Sequence, residues 1–139
     1  MNTEMQAVGH QILQPAGWAR PRGYSNGMAA EGRQVFISGQ IGWNAACEFT
    51  SDRFADQVRQ ALTNVVTILA EAGGRPEHLV RLTWYVTSRE EYLAEIPEVG
   101  AAYREIIGKH FPTMAVVAVV ALMEARARVE IEATAVIPR

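Results

Sequence analysis

The chain has 139 residues, 49% hydrophobic and 20% charged, which suits one compact domain over residues 1–139 and excludes a two-domain enzyme. Thirteen Lys and Arg against fifteen Asp and Glu leave a net charge of −2, so nothing is in surplus to neutralise a phosphate backbone, and nucleic acid is an unlikely partner. The longest apolar run, Met114 to Met123, is about half of the ~20 residues that span a bilayer, the N-terminus lacks a basic stretch followed by an apolar one, and the single cysteine, Cys47, forbids an intrachain disulfide; a cytoplasmic protein that does not enter membranes is expected.

Residues 1–23 carry Pro15, Gly17, Pro21 and Gly23 with little apolar patterning and read as a short strand plus a wrapping loop. Two extended runs follow, around Tyr24–Ala30 and Gln34–Ser38, separated by Glu31-Gly32, and the spacing predicts a hairpin. Between Thr50 and Ala72, Phe54, Val58, Ala61, Leu62, Val65, Val66 and Leu69 recur at helical steps. Ser51 and Asp52 are suited to cap this amphipathic helix, and Gly73-Gly74 to end it. Val80–Thr87 is β-branched and aromatic and reads as a strand. Ser88-Arg-Glu-Glu91 matches a capping box that opens a helical turn, and the main second helix is predicted from Pro97 to Ile107, with Ile96, Val99, Tyr103, Ile106 and Ile107 as its apolar stripe. Met114–Leu122 is apolar on both parities. Val129–Ile137 alternates, with Ile131, Ala133, Ala135 and Ile137 on one face and Glu130, Glu132 and Thr134 on the other.

This order implies an α+β fold: a mainly antiparallel sheet with two helices packed on one face. The other face has no helix left to cover it, although Met114–Leu122 offers apolar side chains to both faces. A homo-oligomer that buries these sheet faces follows as an expectation.

Familiar nucleophile, phosphate-loop, zinc-protease and dinucleotide motifs are absent. His10, His78 and His110 lie far apart without carboxylates at ligand spacing, so they read as surface or capping residues; no metal and no cofactor is expected. Ser38-Gly39-Gln40 ends a strand with a hydroxyl, free amides and an amide side chain, which fits either an anion or carbonyl pocket or ordinary turn chemistry. Glu130 and Glu132 sit on the face expected at an interface, where a carboxylate needs either a function or an intersubunit ion pair with Arg126 or Arg128.

Tyr24-Ser-Asn-Gly27, Val35-Phe-Ile-Ser-Gly-Gln-Ile-Gly42, Gln57 with Ala61-Leu-x-Asn64, Ala72-Gly-Gly74, Val80–Val86, Phe111-Pro112 and Val129-Glu-Ile-Glu-Ala133 together resemble the Rid family (YjgF, also labelled endoribonuclease L-PSP) over roughly residues 20–137. The resemblance implies a chorismate-mutase-like fold and a homotrimer with ligand clefts between subunits. It also implies a small-molecule ligand: the RidA branch hydrolyses enamines and imines such as 2-aminoacrylate to keto acids and ammonia. In that branch an arginine two residues after the proline holds the substrate carboxylate. Met114 takes its place here, Val116 replaces the branch's cysteine, and the asparagine before the second helix is replaced near Ile96. A thioether cannot make a guanidinium's paired hydrogen bonds to a carboxylate. The resemblance therefore points to a branch outside RidA, in which Tyr24, Ser38, Gly39 and Met114 bind substrate, Glu130 orients the hydrolytic water, and Arg20 or Arg22 is a candidate replacement cation. Two functions remain open: a deaminase of small reactive intermediates, motivated by Glu130, and a non-catalytic trimeric binder or regulator, motivated by Met114. A ribonuclease role is disfavoured by the charge.

Overall fold

The computed structural model describes residues 6, 7 and 9–139, with side chains from Gly9 onward; the expectation for residues 1–23 lies outside the described residues at positions 1–5 and 8. Strands β1 (Gln6–Ala7), β2 (His10–Leu13) and β3 (Gly27–Ala29) form a small antiparallel sheet. The main sheet takes β4 (Arg33–Ile41), β5 (Leu79–Val86), β6 (Thr113–Ala118) and β7 (Val129–Ile137) in the order β4-β7-β5-β6, with only β5 and β6 parallel. Helices α1 (Phe54–Glu71) and α3 (Ile96–Ile106) pack on one face; α2 (Arg89–Ala94) is a short lead-in to α3 that contributes no buried residue.

The periodicities place the core. Phe54, Val58, Ala61, Leu62, Val65 and Leu69 of α1 are buried against Leu82, Trp84 and Val86 of β5 and Val129, Ile131, Ala133 and Ala135 of β7. Gly73, at φ +78°, ends α1 with its amide on the Ala70 carbonyl. At the helix start, the Arg53 amide donates to Ser51 Oγ at 3.0 Å, while Asp52 pairs with Arg126 and does not cap. Helix α1 begins at Phe54 with Arg53, and neither Ser51 nor Asp52, at its N-cap.

Three other expectations change. The runs of β3 and β4 do not form a hairpin: β3 pairs with β2, and β4 with β7. The chain crosses between the sheets at Gly32, where any Cβ would collide with the Ile137 carbonyl, so only glycine allows the passage. The apolar run after β6 leaves the sheet at Ala118 because its neighbour β5 ends at Val86, where Ser88 turns the chain into α2. Val120 and Met123 stand fully exposed in the loop beyond. Ser88 accepts the Glu91 amide at 3.1 Å, but the Glu91 carboxylate bonds Arg128, so the capping box is half made.

The second sheet face carries no helix among the described residues. Arg81, Thr83 and Tyr85 of β5, Glu130, Glu132 and Thr134 of β7, Val117 of β6 and Phe36 of β4 occupy it, with Phe36 72% exposed.

Candidate functional site

One strand irregularity builds the first half of the site. Between Ile37 and Gln40, β4 advances three residues while β7 advances two, from Ala133 to Ile131, so a β-bulge carries Ser38 and Gly39 out of the ladder. The Gln40 amide donates to the Ser38 carbonyl at 3.0 Å and reaches its Oγ at 3.4 Å, which steadies the bulge. The Glu130 side chain lies directly over Gly39: a Cβ there would sit 2.6 Å from Glu130 Cδ and 2.8 Å from Cγ. Glycine at 39 is thus the space in which the carboxylate rests.

The charge environment of this half narrows its chemistry. Arg126 pairs with Asp52 at 2.9 Å and Arg128 with Glu91 at 3.0 Å, so both arginines expected to neutralise Glu130 or Glu132 are engaged elsewhere. Glu132 accepts the Tyr85 hydroxyl at 2.8 Å, a bond that holds the Tyr85 pKa above its ordinary value. No Lys or Arg among the described residues pairs with Glu130, which leaves a half-buried carboxylate available to a water or a ligand.

The second half lies two strands away. Ser25 donates its amide to the Pro112 carbonyl at 3.0 Å and its hydroxyl to the Phe111 carbonyl at 2.5 Å, which fixes Tyr24 beside the start of β6. Met114, in register with the buried Leu82, faces the helix side and borders a cavity of about 620 Å³ between β6 and α2–α3, together with Tyr24. Arg22 also borders this cavity; Arg20 does not, and Arg104 of α3, absent from the sequence expectation, does. Glu130 is on the opposite face. The five expected site residues therefore form two groups, Ser38, Gly39 and Glu130 at the β4–β7 bulge and Tyr24 with Met114 at the β6 edge, and one chain does not bring the groups together.

The histidines are more deeply placed than expected. His10 and His78 are buried, and His10 Nε2 is 2.9 Å from the Val136 carbonyl. His78 Nδ1 accepts the Arg75 amide at 2.9 Å, and His110 Nε2 donates to the Leu79 carbonyl at 2.7 Å. Burial, followed by the Arg75 charge, lowers the His78 pKa, and burial outweighs the Leu79 bond to lower that of His110. Each has a structural backbone partner, and no group of His, Cys, Asp or Glu among the described residues is placed to hold a metal.

Comparison with known proteins decides the family. The family model described as endoribonuclease L-PSP matches residues 18–137. The chain belongs to this family. Within the L-PSP family it resembles a 2-iminobutanoate/2-iminopropanoate deaminase of Capra hircus, 33% identical over 105 residues that cover 75% of this chain and 73% of that protein. It is also similar to one of Dermatophagoides farinae, 29% identical over 107 residues, 76% of this chain and 80% of that one. Among solved structures, the Rid family protein YyfB of Yersinia pestis, of unknown function, superposes with a TM-score of 0.79 at 29% identity, covering 92% of this chain and 98% of that one. E. coli TdcF with bound serine superposes with a TM-score of 0.65 at 30% identity, covering 82% and 87%. The fold is the α+β, chorismate-mutase-like fold of the Rid (YjgF) family, as the sequence resemblance implied. No helix among the described residues is long and apolar enough to cross a membrane.

Proposed function

We propose that this L-PSP family member, standing outside the RidA branch, hydrolyses a small imine or enamine in a cleft completed by another copy of the chain, within a homotrimer. The observation that carries the reading is the Glu130 carboxylate, seated over Gly39 with no ion-pair partner among the described residues. In the proposed reaction water adds to the C=N carbon as Glu130 takes its proton. Glu130 passes that proton to the nitrogen to give the carbinolamine, whose hydroxyl proton then moves through Glu130 to the nitrogen as the C–N bond breaks, the carbonyl forms and ammonia leaves. Imine and water become carbonyl compound and ammonia, and an enamine enters the same route after tautomerising. The relatives named as 2-iminobutanoate/2-iminopropanoate deaminases support this chemistry. The trimer is supported by two site halves that a single chain keeps on opposite faces and by the helix-free face bearing Phe36 and Val117.

A second reading, a trimeric binder without turnover, is favoured by Met114, which offers a substrate carboxylate no charge. The two are separated by Glu130→Gln, which keeps shape and removes basicity. Imines generated in situ by an amino-acid oxidase should be hydrolysed faster with the wild type than without protein, and the variant should lose this acceleration by about 10²-fold or more at unchanged melting temperature. No acceleration by the wild type across such imines supports the binder; a destabilised variant removes Glu130 from catalysis.

A further inference from the structure

The cavity between β6 and α2–α3 is lined by charge of one sign. None of the described residues around it is acidic, and two are arginines: Arg22 from the loop between β2 and β3, and Arg104 from α3. Both are exposed and so stand at its rim, and neither belongs to an ion pair among the described residues. Arg104 is left unpaired by its own helix. The residues three and four positions away, Gly100, Ala101, Ile107 and Gly108, carry no charge, and the adjoining Glu105 pairs with Arg59. A Cβ at Gly100 would lie 3.4 Å from Arg104 Nη1, so the side chain folds back one turn along α3 and rests its guanidinium over Gly100, itself part of the cavity wall. Beside it, Tyr103 stacks on Phe111 with ring planes 7° apart and gives its hydroxyl to the His110 carbonyl at 2.7 Å, so this pair offers a ligand rings rather than donors.

From this arrangement we infer that Arg104 is a specificity-determining residue that anchors a ligand's carboxylate from the helix wall, with Arg22 as an auxiliary cation, and that this carboxylate is separated from the carbonyl or imine carbon by an apolar body. A guanidinium is charged at any working pH and meets a carboxylate with two parallel N–H donors. A cleft whose charges share one sign and whose remaining walls are apolar concentrates their field on an entering anion. Across the cavity, Met114 faces inward from the sheet and offers no charge. An anion attached directly to a carbon held at the sheet edge is left beside a thioether, whereas one several bonds away reaches α3. About 620 Å³ leaves room for a ring or a short chain between the two walls. As regards substrate, the inference rests on the proposed hydrolytic function and narrows it to imines that carry a remote carboxylate.

The test is isothermal titration calorimetry of the intact protein at low salt with three aryl ketones that differ in where the charge sits. In 4-acetylbenzoate the carboxylate lies across the ring, in methyl 4-acetylbenzoate it is masked as an ester, and in phenylglyoxylate it is on the carbonyl carbon. 4-Acetylbenzoate should bind about tenfold more tightly than either of the others, the lower range for a charged hydrogen bond because the rim is exposed. Arg104→Gln should cut that margin to about twofold or less, and Arg104→Lys, which keeps the charge without the fork, should retain part of it. Equal binding of the acid and its ester, or of 4-acetylbenzoate and phenylglyoxylate, overturns the inference. So does a margin that survives Arg104→Gln and vanishes with Arg22→Gln, which moves the anchor to the loop. A lowered melting temperature for Arg104→Gln with the margin intact also overturns it, since Arg104 then serves only the C-terminal turn of α3. Imines with and without the remote carboxylate hydrolysed equally fast defeat the anchor and leave the hydrolase standing. Arg104-dependent binding with no hydrolysis of any imine keeps the anchor and defeats the hydrolase.

Discussion

Gln57→Leu tests how the segment that leads into β7, and hence Glu130, is held. Gln57 is 1% exposed on α1, and its amide makes three hydrogen bonds outside the helix: Nε2 donates to the Ser51 carbonyl at 3.1 Å and to the Arg126 carbonyl at 3.0 Å, and Oε1 accepts the Arg128 amide at 2.8 Å. The chain packs so closely on its stem that a Cβ at Gly42 would lie 2.6 Å from Gln57 Cγ. Leucine conserves approximate volume, so little cavity term arises, but three backbone groups lose their partner. At about 1 kcal/mol for each partly buried group the loss is about 3 kcal/mol, or roughly 10 °C in melting temperature for a chain of this size. Urea melts followed by circular dichroism measure it. Gln57→Glu, which keeps the acceptor but loses both donors and buries a charge, should be at least as unstable. A loss below about 1 kcal/mol for Gln57→Leu would show that the loop is held by other contacts and would refute the reasoning.

Restoring a cation with Met114→Arg should raise turnover of carboxylate-bearing imines by roughly two to three orders of magnitude, the ~2 to 4 kcal/mol of a charged anchor, in a coupled assay for keto-acid release; an unchanged rate would place the anchor elsewhere. Val117→Asp puts an unpaired charge on the helix-free sheet face, and if the wild type sediments as the proposed trimer, near three times 15.3 kDa, the variant's mass should collapse toward the monomer. Stability should fall on acidification: His78 and His110 titrate below 6.5 when folded, so the unfolded state holds more protons just below that pH. The native state therefore keeps its full margin above about pH 6.5 and loses at most about 1.4 kcal/mol per unit of depression for each histidine as pH drops, seen as a falling urea midpoint. His78→Asn, which keeps an acceptor for the Arg75 amide, should flatten this slope; an unchanged slope would show that His78 does not contribute to it.

Where local pattern and long-range partner agree, the fold was legible. The apolar stripe of α1 and the alternation of β7 are imposed by one core and survive in any arrangement that buries them. Partner choice is not local. Residues 27–29 and 33–41 are both strands, yet nothing in their own residues says that the first joins β2 and the second β7; Gly32 reports the crossing only once the Ile137 carbonyl is known to lie against it. Likewise Val119–Leu122 have strand character, but a strand needs a neighbour, and β5 has already ended at Val86.

The site shows the same division between residue type and spatial neighbour. Ser38-Gly39 reads in the sequence as a strand end and Glu130 separately as a carboxylate on an interface face, and only the family resemblance put them in one cleft; the strand in fact runs on to Ile41 through a bulge, and the glycine's reason is the space Glu130 occupies. Arg104 gave no signal, because an arginine within a helix reads as a solvated charge until Tyr24 and Met114 are found around the same cavity. The replacement at 114 gains its meaning in the same way. Read as sequence it is a lost anchor; read with Arg22, Arg104, Tyr103 and Phe111 around one cavity, it is an apolar side chain on a wall that still carries two guanidinium groups, so the charge lost at 114 is not the only one the cavity offers a ligand's carboxylate.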